Sequence, residues 1–350
     1  MSASIVSTYS LGATSLAAMS RAQNELTTLT EESSSGQYAD LGVQLGEQSG
    51  YELSLRSQVN QLQAFTAANT LTVTNLQTAQ TAIDAVRSTA QSAVKTLTSL
   101  TGGATTTAST LATTGTNSLK ALISAMNSTS DGQYVFGGEN SGQAPIADYF
   151  SSTVSAAKSS IDAAFYNEFG CNPTDPAAAN ITGTQMQSFL DGSFSTLFSG
   201  ASWTSDWSSA SDVNVTTQIA PGESVDSSTN ANQPGFQQLA QAYAMMTEFG
   251  GSSLGANAQQ AIISSATSLI NQGLSSLTTT EATLGASQSR VTDASTAMSN
   301  QLTILQTQIG NLDNVDSQKI ATELSTVQTQ LQTAYQLTAQ LQKLNLAQYL

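Results

Sequence analysis

The chain has no histidine and only one cysteine, Cys171. Without histidine there is no Ser–His or Cys–His pair to activate a nucleophile and no imidazole to ligate zinc. The lone thiol cannot close an internal disulfide. Charge is scarce at 9% of residues, and the formal net charge is −15. Phosphate recognition needs clustered Lys and Arg, so nucleic acid is excluded as a partner, and so is docking on an anionic membrane. No stretch approaches the ~20 apolar residues that span a bilayer. Met1–Leu11 lacks a basic segment followed by an apolar core, so no cleavable leader is expected. The Gly-rich stretches at Gly42–Gly50 and Gly102–Gly103 have no lysine after them, which departs from phosphate-loop spacing. These absences point away from an enzyme, and no catalytic, cofactor or metal site is expected.

Proline is absent from both ends. Pro145, Pro173, Pro176, Pro221 and Pro234 all lie in the middle, as do Trp203 and Trp207. Because proline breaks helix interiors, its distribution predicts two helical arms around a central aromatic insert. The expected divisions are a terminal helix (1–36), a spoke (37–54), an inner helical region with a hairpin (55–138), an insert (139–250), an inner C-terminal helix (251–312) and a closing helix (313–350). The expected fold is mainly α, with long antiparallel coiled-coil arms, a short β-hairpin and a small mixed α/β or β insert.

What the arms do contain is periodicity. Ile320, Leu324, Val327, Leu331 and Ala334 recur every 3.5 residues, and Leu341 rejoins that seam after a polar gap at Thr338. Such a narrow apolar stripe needs a partner helix. Leu344 widens the stripe. At the other end Leu16, Met19, Leu26 and Leu29 share a face, before Ser33-Ser34-Ser35-Gly36 stops the helix. The inner helix from Leu55 keeps the same step through Asn69 and Leu76 to Ile83, with polar residues at several seam positions that can fix register. The predicted assembly interface is therefore Leu16, Met19, Leu26 and Leu29 with Ile320, Leu324, Val327, Leu331, Leu341 and Leu344. Asp316 is placed to cap the last helix.

Within 131–146, Asp131-Gly132 leads into Gln133–Phe136 as a short strand, in a hairpin whose turn is expected to exceed two residues. Asp131, Glu139 and Asp148 read as a solvated loop rather than a calcium or glycosidase site. In the insert, Ser159–Phe169 fits a helix or a strand, Val213, Val215 and Ile219 suggest a strand, and Phe236–Phe249 suggests a helix. Phe165, Tyr166, Phe169, Phe189, Phe194, Phe198, Trp203 and Trp207 are expected to form its core rather than a binding surface.

Four stretches resemble the bacterial flagellin superfamily. They are Leu29–Gly36, Asn127–Gly138 with Pro145, Leu284–Val291, and Val315 through Gln330–Tyr335 to Leu344–Leu350. The second is most similar to the version found in hook-associated protein 3 (FlgL family) hook–filament junction proteins. Tyr38–Gly42 and the Gln348-Tyr349-Leu350 ending depart from the usual flagellin pattern in the same direction. The resemblance implies a secreted structural subunit, exported through the flagellar type III apparatus and located in the extracellular flagellum. It also implies self-assembly into a ring or tube, with flagellin, the neighbouring hook-associated protein and an export chaperone as partners. A flagellin filament subunit is the alternative, followed by a non-flagellar coiled-coil scaffold or secreted effector.

Overall fold

The computed structural model describes residues 8–100, 107–151 and 154–347. The chain divides into two compact units, one from residues 1–64 with 298–350 and one from 65–297; the divisions fall within two long helices.

The first unit opens with α1, Thr8–Ser35. Gly36 ends it with φ 73°, and its amide reaches back to the Glu32 carbonyl at 2.8 Å. A left-handed residue after the last turn favours glycine, which explains the Ser-Gly stop. The expected irregular spoke is partly helical. Asp40 caps α2 (Leu41–Leu45) by accepting the Val43 amide at 3.0 Å, and a 3-10 turn over Gly46–Gln48 leads into α3 (Ser49–Leu100). Glycines here mark helix junctions rather than an extended segment, so α3 starts ahead of Leu55. Gly102 and Gly103, expected to end α3, lie outside the described residues. At the other end α9 (Ala256–Asp313) breaks at Asn314–Asp316, and α10 spans Ser317–Ala347. Asp316 Oδ1 accepts the Gln318 and Lys319 amides at 2.9 and 3.3 Å, the cap that its position predicts.

In the second unit α4 covers Thr107–Met126, and the hairpin follows. Its strands are β1 (Thr129–Ser130) and β2 (Gln133–Tyr134), with Ser130 opposite Gln133. The hairpin therefore closes at Asp131-Gly132, ahead of Gln133, rather than through a longer turn after Phe136. Both turn residues have positive φ, 54° and 78°, the backbone of a type I′ turn that matches strand twist. Val135 and Phe136, expected in the strand, instead leave the hairpin and are buried in the core.

The insert is mostly helical: α5 (Ala156–Phe169), α6 (Gly183–Asp191) and α7 (Gly200–Asp206) precede a second hairpin of β3 (Thr216–Ala220) and β4 (Glu223–Asp226). Helix, not strand, is thus the form of Ser159–Phe169. Of the three residues read as strand, only Ile219 lies in β3. The last insert helix, α8 (Pro234–Phe249), packs on α4, where a Cβ at Gly115 would meet the Met246 Cβ at 2.6 Å.

Aromatic rings build the core here. Phe165 lies 5.6 Å from Phe189 and 5.2 Å from Phe249, and Phe194 lies 5.5 Å from Phe249. Trp203 and Trp207 stack at 5.7 Å, with Tyr149 stacked on the other face of the pair at 5.2 Å from Trp207. Both indoles are buried, so they form core rather than a binding surface; Tyr166 is the exception, with its ring largely in solvent.

Threonines line the outer faces of the long helices. Thr70, Thr74, Thr78 and Thr81 on α3, and Thr322, Thr326, Thr329 and Thr333 on α10, each donate their hydroxyl to the carbonyl four residues earlier.

Candidate assembly interface

In the first unit α1 and α10 run antiparallel. Leu29, Ile320 and Val327 are buried together, flanked by Ala22, Leu26, Val315 and Leu324. Leu331 extends the same stripe and is 8% exposed. Along the α1 seam Ser15, Met19, Ala22 and Leu26 are half-buried, and buried Leu29 closes the series. Their spacing alternates four and three residues, as it does on α10. A stripe at that spacing holds two helices face to face along their length.

Leu16 is not on this seam. It is 69% exposed, and Ser15 takes the seam position beside it. The Ser15 and Thr338 hydroxyls lie 3.2 Å apart, and the Thr338 hydroxyl is 3.5 Å from Met19 Sδ. The polar gap at Thr338 is therefore matched by a polar residue on α1. Beside it Gln23 Nε2 donates to Tyr335 Oη at 2.8 Å. The side chains of Leu341 and Leu344 lie outside the described residues. Leu16, Leu337 and Tyr335 turn apolar surface outward, as do Val43, Tyr51 and Leu53 near the start of α3.

The two helix breaks meet at the end of this pair. Val315 donates to the Gly36 carbonyl and Tyr38 to the Asp313 carbonyl, each at 3.0 Å, so Gln37 and Asn314 bridge like two strands. Asp313 ends α9 fully buried, and Arg56 Nη2 on α3 donates to its Oδ2 at 2.5 Å. Arg56 also pairs with Glu52 one turn earlier on α3. That hydrogen bond to Glu52 is the largest influence raising the Arg56 pKa, with Asp313 adding to it. Sequence reading took Asp313 only as part of a helix break and did not connect it with Arg56. The available signal was the Glu52–Arg56 spacing of one turn in a chain with so few charges.

The second unit carries two similar clusters. Arg87 pairs with Asp84 on its own helix and with Glu281 on α9. Glu248 accepts from Tyr149 Oη at 2.8 Å and from Lys158 at 2.5 Å. Burial pushes the Tyr149 hydroxyl far above its ordinary pKa, so it stays a donor. Of the carboxylates near the first hairpin, Asp131 forms the turn and Asp148 accepts the Phe150 amide. No described helix is long and apolar enough to cross a membrane.

These contacts describe a chain whose two ends close on each other through an apolar stripe and a charged joint. The descriptions "bacterial flagellin N-terminal helical region" and "bacterial flagellin C-terminal helical region" match residues 6–141 and 267–350, well over half of the chain between them. The chain belongs to the bacterial flagellin family, and it is a structural protein of the flagellum. Comparison with curated proteins by sequence found no match. Among solved structures, a Vibrio parahaemolyticus protein assigned as flagellar hook-associated is 14% identical, with a TM-score of 0.50 over 76% of this chain and 97% of its own. FlgL of Bacillus cereus is 14% identical, with a TM-score of 0.42 over 74% and 98%.

Proposed function

We propose that this protein is the hook–filament junction subunit, a ring-forming adaptor between the hook-side junction protein and the flagellin filament. The observation that carries an assembling role is the α1/α10 pair, with Leu29, Ile320, Val327 and Leu331 already sealed within one chain. Leu16 and Leu337 face outward from the same pair, which leaves them for neighbouring subunits. Met19, Leu26 and Leu324 complete the seam from half-buried positions, and Leu341 and Leu344 continue it in sequence. The hook-associated assignment of the Vibrio relative, whose whole length this fold covers, favours the junction over the filament. So does the departure at Tyr38–Gly42. The subunit is exported unfolded and works outside the cell. An apolar stripe on α10 is exposed until α1 covers it, and an export chaperone is the partner that fits it beforehand.

The test is immunogold microscopy with a peptide tag inserted between Pro221 and Gly222, an exposed turn of the second hairpin. One labelled band where hook meets filament is expected. Label along the whole filament would make this a filament subunit. A second test places Leu331→Asp in a strain lacking the native gene. The second unit stays folded, but incorporation and filament retention are lost; normal swimming would count against the seam as an assembly element.

A further inference from the structure

The seam between α3 and α9 in the second unit is apolar for most of its length, with Leu76, Ile83, Leu284 and Val291 buried in one core. Two polar contacts interrupt it by crossing between the helices, and Thr72 and Ser287 are buried polar residues as well. Asn69 is fully buried, and its Nδ2 donates to Ser295 Oγ on α9 at 3.1 Å and to the Ile219 carbonyl of β3 at 3.0 Å. Ser295 passes the hydrogen bond on to the Val291 carbonyl at 2.8 Å. Further along, Arg87 reaches across to Glu281. Each interruption holds a buried oxygen with no partner, Asn69 Oδ1 and Glu281 Oε1. Apolar residues at the same places would leave no such atoms.

The rest of the seam says why they are tolerated. Over residues 65–100, α3 carries only Asp84, Arg87 and Lys95 as charges; over 256–297, α9 carries only Glu281, Arg290 and Asp293. Ala, Ser, Thr and Gln fill most other positions. A repeat built from small neutral residues looks nearly the same after a shift of seven, so the apolar stripe alone does not choose one alignment. A charge or amide that finds its partner in a single alignment does choose.

We infer that Asn69 with Ser295, and Arg87 with Glu281, are register-setting contacts that hold α3 and α9 in one alignment and seat the second hairpin on it. A slipped pair would place Asn69 and Glu281 against apolar neighbours and strip Ile219 of its donor. The role concerns the folding of the subunit and is independent of its place in the flagellum.

The experiment uses the full chain in a Cys171→Ser background, with spin labels at the exposed positions Thr70 and Thr292. Pulsed electron resonance reads their distance. A single narrow distance is expected for the unaltered seam. The triple variant Asn69→Leu, Arg87→Met, Glu281→Met is expected to keep or raise the melting temperature of the unit. It should add a second distance population from pairs slipped by one heptad, about 10 Å along the axis. Amide exchange in 216–226 is expected to quicken at least about tenfold as the hairpin loses its seat. A folded triple variant with one unmoved distance overturns the inference. If the triple variant does not fold, Asn69→Leu and the Arg87→Met, Glu281→Met pair are measured separately. A second population in either supports the inference, and one unmoved distance in both overturns it. Failure of both to fold also overturns it, since the contacts would then be holding the fold together rather than choosing its alignment.

Discussion

The two units solve the same problem, burying apolar surface, with very different means. The second interlocks rings from several elements, so Phe165, Phe189, Phe194 and Phe249 each touch more than one neighbour. At its ends the first relies on a stripe between α1 and α10, where, among the described residues, Leu29, Ile320 and Val327 form the buried cluster and Leu331 extends it, while Leu55, Leu62 and Leu305 are buried on its α3 and α9 segments. A fully buried side chain of this kind contributes roughly 1.5–3 kcal/mol before ordering is counted, and ordering costs about 1–2 kcal/mol for each residue fixed. A stripe that thin leaves little surplus over the entropy of ordering two long helices. The difference teaches that the central unit is built to hold its shape alone, while the ends are built to gain stability from whatever else covers them.

The contrast is broken most forcefully in the core. Phe249→Ala should cost about 3–5 kcal/mol in denaturant unfolding of the second unit. If the units are independent, amide protection of the α1/α10 pair stays as it was; loss of protection there would show that the thin stripe depends on the thick core. The joint comes next. Arg56→Ala strands the buried Asp313 carboxylate, and the expected cost is about 2 kcal/mol, below the 3–5 of a fully buried pair because Arg56 is half exposed. The loss should appear as faster exchange at Tyr38 and Val315, with the second unit unchanged, and Asp313→Asn in the same chain should restore part of it.

The smallest effect concerns pH. Burial raises the Glu281 carboxyl above its ordinary 4.5, against the lowering pull of Arg87 and with a push from Asp84. A carboxyl raised in the folded state binds its proton more readily there than when unfolded. Its contribution to stability therefore falls as pH rises from 4.5 through the raised value, and is regained on acidification. Glu281→Gln should lack that slope. Urea midpoints of the two proteins measured across this window give the comparison, and parallel curves would remove Glu281 from the account.

Much of this was legible in sequence wherever the local chemistry is decisive. Gly36 ends α1 because a positive φ suits glycine, and Asp316 caps α10 because its carboxylate can reach two amides. The 3.5-residue step located the α10 seam. It groups Leu16 with the α1 side of that seam, where Ser15 sits instead and Leu16 faces outward, because one position of offset separates a seam residue from its exposed neighbour and the short run on α1 fits either phase. The hairpin is expected one strand too late because the strands around Asp131-Gly132 are two residues each, too short to show alternation. The partnership of Arg56 with Asp313, and of Asn69 with Ile219 and Ser295, joins residues far apart in sequence, and no periodicity carries that information.

The threonine rows have one more consequence. A hydroxyl spent on its own helix leaves the methyl as the free end of the side chain, so these threonines offer no free hydroxyl donor. Between brine and nearly salt-free water the screening length changes from about 3 Å at 1 M to about 30 Å at 0.01 M. Attractions between ions would swing widely across that range. A row of methyls and neutral amides has little for salt to weaken, so contacts made through these threonine rows should change little between river water and brine.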